Sequence, residues 1–297
     1  MHNENASRSV VGFIGLGVMG LPMAENLLTA GYPLVVHNRS SAAVKALVAQ
    51  GAKNASHPAA VAEQSEVVIT MLPDTSDVEA VYFGDHGIFE GARTGQLLID
   101  MSTISPAMSR KIAERSEAME IASLDAPVSG GDVGARASTL SIMVGGGRAA
   151  YDRALPIFQV LGQQMEWMGE AGAGQVTKAC NQIIVALTIE AVGEAFTLAR
   201  RSGVDLSTVR KVLLGGFAQS RILDLHGQRL IDERFDPGFR VRLHRKDLGI
   251  ALAAGDAKTV YLPVTALVHA MFNALVAQGQ GERDHSYLAA YLAEQSP

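Results

Sequence analysis

Up to about residue 170 the chain alternates short runs rich in Val, Ile and Leu with segments whose apolar residues return every three or four positions. That is the pattern of βαβ units building a mostly parallel sheet. It predicts strands at Val10 to Ile14, Leu34 to His37, Val67 to Met71, Leu97 to Asp100, Ile121 to Asp125 and Leu140 to Val144. Helices are predicted between them at Met19 to Ala30, Ala42 to Gln50, Ser76 to Tyr82, Pro106 to Met119 and Ala149 to Leu161. Past Glu170 the β-branched runs give way to long stretches at helical spacing. Val176, Cys180, Ile183, Leu187, Ala191, Ala195 and Leu198 describe one long helix that ends near Ser202-Gly203, with Cys180 expected as a small core residue. Further helices are expected over Leu206 to Leu214, Arg221 to Ile231, Lys246 to Gly255 and Pro263 to Gln278. The predicted fold is therefore α/β: a doubly wound N-terminal sheet (residues 1–170) joined by the long helix to an all-α C-terminal domain (residues 171–297).

Composition narrows the partners. Of 297 residues, 48% are hydrophobic and 19% charged, which is ample for a core. A net charge of -5 without a dense Lys/Arg block argues against nucleic acid and against a membrane surface, and favours small-molecule chemistry. Runs such as Val67 to Leu72 are far shorter than a membrane span. Met1 to Ser9 is polar, reads as a frayed tail and lacks the apolar stretch of a secretory signal. A single cysteine excludes an internal disulfide framework, and a cytoplasmic location is the expectation.

The first chemical signal is Gly15-Leu16-Gly17-Val18-Met19-Gly20, which follows an apolar strand and opens a helix. In a dinucleotide site the first glycine permits the tight turn, the second lets the backbone approach a pyrophosphate, and the third allows close helix packing. About 20 residues on, where NAD enzymes commonly carry a carboxylate for the ribose 2′-hydroxyl, stand Asn38, Arg39 and Ser40. A guanidinium can pair with a 2′-phosphate, so NADP is favoured over NAD.

Two further segments carry polar groups in suggestive places. Ala126-Pro127-Val128-Ser129-Gly130-Gly131-Asp132-Val133-Gly134-Ala135 reads as a loop whose Ser129 hydroxyl and Gly130 and Gly131 amides could hold a carboxylate, or equally as a surface turn. Lys178, Asn181 and Gln182 are spaced i, i+3, i+4 and share one face of the long helix, which could equally be a solvated face. His226, His244 and His285 are scattered without ligand spacing, and no metal site is expected.

Together these segments resemble the β-hydroxyacid dehydrogenases over nearly the whole chain. The resemblance rests on Gly15 to Gly20, Met71-Leu72-Pro73, Asp100-Met101-Ser102-Thr103 with Pro106, Ala126 to Gly131, the helix start Gly172 to Gln182, and Lys246-Asp247. It implies a Rossmann domain and a helical domain with the active site between them, and assembly into homodimers or homotetramers. It implies Lys178 as catalytic acid/base, Ser129 to Gly131 as the substrate carboxylate site, and Asn181 and Gln182 in contact with substrate. Thr103 and Lys246 would lie by the cofactor, with Met71, Leu72 and Pro73 bordering it. Asn181-Gln182, where many members carry two asparagines, together with Pro237-Gly238-Phe239-Arg240 and Asp284-His285-Ser286, is more like the members that reduce tartronate semialdehyde than those that oxidise 3-hydroxyisobutyrate. 3-Hydroxyisobutyrate, succinic semialdehyde and sulfolactaldehyde are the alternative substrates. Ser138 stands where glycine is usual in the family. Imine reductases of similar architecture generally lack the lysine, and a non-catalytic dinucleotide-binding module would be expected to have lost the lysine or the glycine loop. Both are intact here.

Overall fold

The computed structural model describes residues 8–295, so residues 1–7 of the tail expected from the sequence lie outside it. Two compact units divide between Lys178 and Ala179. That division falls inside the long helix, whereas the change in sequence pattern at residue 170 marks where the last strand ends.

The first unit contains β1 (Val11–Ile14), α1 (Gly20–Thr29), β2 (Leu34–His37), α2 (Ser41–Ala49), β3 (Lys53–Asn54), α3 (Pro58–Glu63), β4 (Val67–Thr70), α4 (Thr75–Phe83) and α5 (Ile88–Gly91). It continues with β5 (Leu97–Asp100), α6 (Pro106–Glu117), β6 (Ala122–Asp125), β7 (Val128–Ser129), α7 (Gly131–Arg136), β8 (Leu140–Gly146), α8 (Arg148–Leu161), β9 (Gly162–Gly169) and the first turns of α9 (Ala173–Arg201). The strand order is β3-β2-β1-β4-β5-β6-β8-β7, with β9 on β8. Pairing is parallel from β3 through β6, while β8 runs antiparallel to β6 and β7.

Alternate residues of the central strands feed two cores. Val11, Phe13, Val67, Ile69, Leu97 and Ile99 enter one. Ile14, Val68 and Leu98 enter the other. With both faces covered, these strands need no polar side, which is why they read as continuous apolar runs. β1 lies between β2 and β4, so the winding reverses there and leaves a crevice at the carboxyl ends of β1 and β4. Helix starts carry local signals: Ser105 Oγ accepts from Met108 N with Pro106 in the first turn, and Asp74 Oδ1 accepts from Thr75 N.

Several elements escape the sequence pattern. β9 is an edge strand with most residues exposed, so it lacks apolar alternation. The segment expected as an open loop at 126–135 instead forms β7 and α7, with Gly130 and Gly131 at φ 136° and 63° making the bend. β3, α3, α5 and α14 are too short for periodicity to reveal.

The second unit comprises the rest of α9, then α10 (Leu206–Leu214), α11 (Arg221–Ile231), α12 (Val241–Asp256), α13 (Pro263–Ala277) and α14 (Tyr287–Glu294). α12 begins at Val241 rather than Lys246. Ala186, Ile189, Val192, Phe196, Leu248, Phe272 and Leu288 are among its core.

α9 corrects one expectation. Its buried line runs through Gln175, Lys178, Ala179, Gln182, Ala186, Ile189, Val192 and Phe196, whereas Val176, Ile184, Leu198 and Cys180 are exposed. The helix is apolar around most of its circumference, so spacing alone does not say which face turns inward. By length and composition it could cross a membrane.

Candidate active site

The glycine loop sits at the carboxyl end of β1. Gly15 has φ 97° and donates its N–H to His37 O at 3.1 Å. A Cβ there would collide with Met71 O, and one on Gly20 would collide with Gly15 O. Gly15 and Gly20 are thus required by the turn itself. Gly17 differs: a Cβ there would meet no heavy atom within 4 Å, and Gly17 and Val18 are exposed beside half-buried Met19. Leu16 is buried, and its N–H donates to Asn38 Oδ1 at 3.0 Å.

Asn38 also donates through Nδ2 to Ser40 O and Oγ, at 3.1 and 2.8 Å, so its amide is used to lock this corner. Arg39 is 85% exposed and 3.7 Å from Asp77, a loose pair that solvent screens. Across the crevice, Met71 N–H donates to Ile14 O at 2.9 Å. Leu72 N–H donates to Ser102 Oγ at 2.9 Å, and Pro73 is exposed. Asp100 Oδ1 accepts from the Thr70 and Ser102 hydroxyls, both at 2.6 Å. Burial lifts the Asp100 carboxyl to about 6 against the pull of those bonds.

The ends of β5 and β6 reach the start of α9. Asp125 Oδ1 accepts from Gly172 N at 2.7 Å and Oδ2 from Gln175 N at 2.9 Å. Its carboxyl is raised to about 6 by burial, opposed by these amides. Gln175 extends its amide to the loop after β5, donating to Ser102 O at 2.8 Å and accepting from Ile104 N at 3.1 Å. Thr103, expected by the cofactor, lies between those two contacts. Lys178 follows one turn later and is 7% exposed. It therefore does not belong to a solvated face. Ser129 is half-buried, paired with Ser141, and followed by Gly130 and Gly131.

In the second unit Gln182 is 4% exposed and donates to Asp247 Oδ2 at 2.6 Å, while its Oε1 accepts from Asn181 Nδ2 at 2.8 Å. Asp247 Oδ1 is 3.0 Å from Lys246 Nζ. The pair Lys246-Asp247 is visible in the sequence, but the part of Asp247 in holding Gln182 is not.

The scattered histidines converge here as well. His244 Nε2 donates to Gln182 O at 3.1 Å, and its Nδ1 is 2.8 Å from His285 Nδ1. His226, Asp284 and His285 place ligand-type atoms within 4.8 Å of one another. Arg229, however, already sits 3.0 Å from Asp284 Oδ2, and Gly238 N and Phe239 N donate to the same oxygen. Burial opposes ionisation of Asp284, but His285, the Ser286 hydroxyl, the Phe239 N–H and Arg229 together outweigh it and hold the carboxyl at about 2. Burial first, then His244, keeps His285 well below the ordinary imidazole value.

A mostly parallel sheet of this order, with a glycine turn at its switch point and an open second glycine, is the architecture of a dinucleotide-binding domain. Residues 10–169 match the NAD binding domain of 6-phosphogluconate dehydrogenase. Residues 172–292 match the NAD-binding family of NADP-dependent 3-hydroxyisobutyrate dehydrogenase. The chain is 45% identical to 2-hydroxy-3-oxopropionate reductase of Escherichia coli over 282 residues, covering 95% of this chain and 96% of that one. It is 40% identical to 3-hydroxyisobutyrate dehydrogenase of Pseudomonas aeruginosa over 281 residues, covering 92% and 94%. The solved Mycobacterium tuberculosis 3-hydroxyisobutyrate dehydrogenase with L-serine superposes with a TM-score of 0.89 at 31% identity, covering 96% of this chain and 99% of that one. The chain belongs to the β-hydroxyacid dehydrogenase family and is an NAD(P)-dependent enzyme.

Proposed function

We propose that the enzyme reduces tartronate semialdehyde (2-hydroxy-3-oxopropanoate) to glycerate, with NADPH preferred over NADH and Lys178 as the proton donor. The burial of Lys178 on a helix start fastened by Asp125 and Gln175 carries this reading, since a buried, anchored ammonium is suited to proton transfer and not to solubility. The name of the 45% identical relative, and Gln182 beside Asn181, support the substrate.

The open flank of Gly17 fits the pyrophosphate, Leu16 to Gly20 would surround it, and Arg39 would meet a 2′-phosphate. Asn38 and Ser40 would shape the adenosine edge, and Met71, Leu72, Pro73, Thr103 and Lys246 would border the dinucleotide. When bound, the nicotinamide supplies hydride to the aldehyde carbon. Ser129, Gly130 and Gly131 hold the substrate carboxylate. Lys178 gives its Nζ proton to the carbonyl oxygen as that oxygen gains charge, and Asn181 and Gln182 orient the substrate for this transfer.

The enzyme works as a homodimer or homotetramer in the cytoplasm, without membrane or nucleic acid. The exposed apolar face of α9 supports self-association over lipid contact, because Glu190 and Glu194 lie mid-helix, where a bilayer would penalise them. Steady-state specificity for tartronate, methylmalonate and succinic semialdehydes and sulfolactaldehyde, each with NADPH and NADH, tests the assignment. It predicts the highest kcat/KM for tartronate semialdehyde with NADPH, and fails if that substrate is the poorest of the four.

A further inference from the structure

We propose that Asp125 and Gln175 form a positioning clamp that sets the height of Lys178 against the Thr103 loop, and so governs proton transfer without either residue touching the substrate. The inference rests on the reading of Lys178 given above. Gln175 uses both ends of its amide on one short stretch of backbone: Nε2 on Ser102 O and Oε1 on Ile104 N, which bracket Thr103 like one rung of a strand pair. Gln175 is 1% exposed, so these bonds form away from competing water. The same residue's main-chain N–H is held by Asp125 Oδ2, while Gly172 N–H holds Oδ1. One carboxylate thus fixes the first turn of α9 from the end of β6, and one carboxamide fixes the end of β5 to that turn.

Gly174 makes the fit close. A Cβ there would lie 2.7 Å from Asp125 O and 2.8 Å from Asp125 Oδ2. Lys178 is three residues beyond Gln175, so a slip of the helix start carries the ammonium with it. Ser102 extends the connection, because its hydroxyl donates to Asp100 and accepts from Leu72 N–H at the crevice. A misplacement of about 1 Å at a reacting group costs on the order of 10²-fold in rate. Neither Asp125 nor Gln175 needs to reach the substrate to exert that effect.

The test uses the full-length enzyme with tartronate semialdehyde and NADPH, in Gln175→Leu, Gln175→Glu, Lys178→Ala and Gln175→Leu/Lys178→Ala. Gln175→Glu keeps the acceptor for Ile104 N–H but sets oxygen against Ser102 O. The expected result is a fall in kcat of about 10- to 100-fold for either Gln175 variant, with the fluorescence-measured NADPH Kd within about 3-fold of wild type. Amide exchange at Ile104 should accelerate in Gln175→Leu without cofactor present. The double mutant should be no slower than Lys178→Ala within about 2-fold, because the clamp acts only through the lysine. Additive losses in the double mutant, or a kcat at the wild-type level in folded Gln175→Glu, overturn the clamp. Wild-type turnover in Lys178→Ala would instead overturn the reading of the lysine. If Gln175→Leu fails to fold, Gln175→Glu and its double with Lys178→Ala carry the same comparison.

Discussion

Replacing Gly17 by alanine separates what the glycine loop does for the fold from what it does for a ligand. A Cβ at Gly17 meets no heavy atom within 4 Å, and Gly17 is not among the positive-φ glycines. The fold therefore has no objection to it, and the smaller entropy of the unfolded chain adds about 0.4–1 kcal/mol of stability. At about 2–4 °C per kcal/mol for a domain of this size, Tm should hold steady or rise by a few degrees. The bound pyrophosphate, in contrast, would meet the new methyl group where it should meet backbone amides. Losing one charge-assisted hydrogen bond of about 1.5–3 kcal/mol raises Kd about 10- to 150-fold. Scanning calorimetry without cofactor and a fluorescence titration with NADPH give the two numbers. An unchanged Kd would refute the placement of the pyrophosphate, and a Tm drop of several degrees would refute the claim that the space is free. Gly20→Ala should lower Tm and raise Kd, since its Cβ would strike Gly15 O.

Ser138 adopts φ 56°, a left-handed conformation that disfavours a residue bearing a Cβ, so Ser138→Gly should stabilise the protein by about 0.5–1 kcal/mol in chemical denaturation with activity unchanged. An equal or lower midpoint would show that the strain is relieved elsewhere. Arg39→Ser should raise KM for NADPH by about 10-fold or more and leave NADH within about 2-fold; equal effects on both would end the case for a 2′-phosphate contact. Acidification should loosen the second unit first. His226 and His285 are held neutral in the fold, so between the unfolded imidazole value near 6.5 and their depressed folded values the unfolded chain binds more protons, and stability falls as pH drops. Asp100 and Asp125, raised to about 6, work in the opposite direction, since the folded first unit takes up protons between about 6 and 4. Protection against amide exchange, taken relative to the intrinsic rate at each pH, should therefore fall in residues 223–231 and 285–289 between pH 6.5 and 5 before it falls around β5 and β6, and a uniform fall would contradict this balance.

Apolar patterning was a good guide where strands are buried on both faces, as in β1, β4 and β5, and where glycines answer to one local turn. It was a poor guide at β9, an exposed edge with polar alternation lost, and at α9, where apolar residues surround the helix and Cys180 lies outside the core. Lys178, Asn181 and Gln182 could be picked out by spacing, but their burial could not. The supporting residues stayed hidden because their partners are remote: Gln175 meets Asp125 50 positions away and Ser102 73 positions away. The histidine cluster joins residues 41 apart and has no local signature.

Single-turnover reduction of tartronate semialdehyde by NADPH-loaded Lys178→Ala bears most directly on the mechanism. The account predicts a hydride-transfer rate about 10²- to 10⁴-fold below wild type, with NADPH affinity and Tm preserved. A folded variant that transfers hydride at the wild-type rate would contradict it.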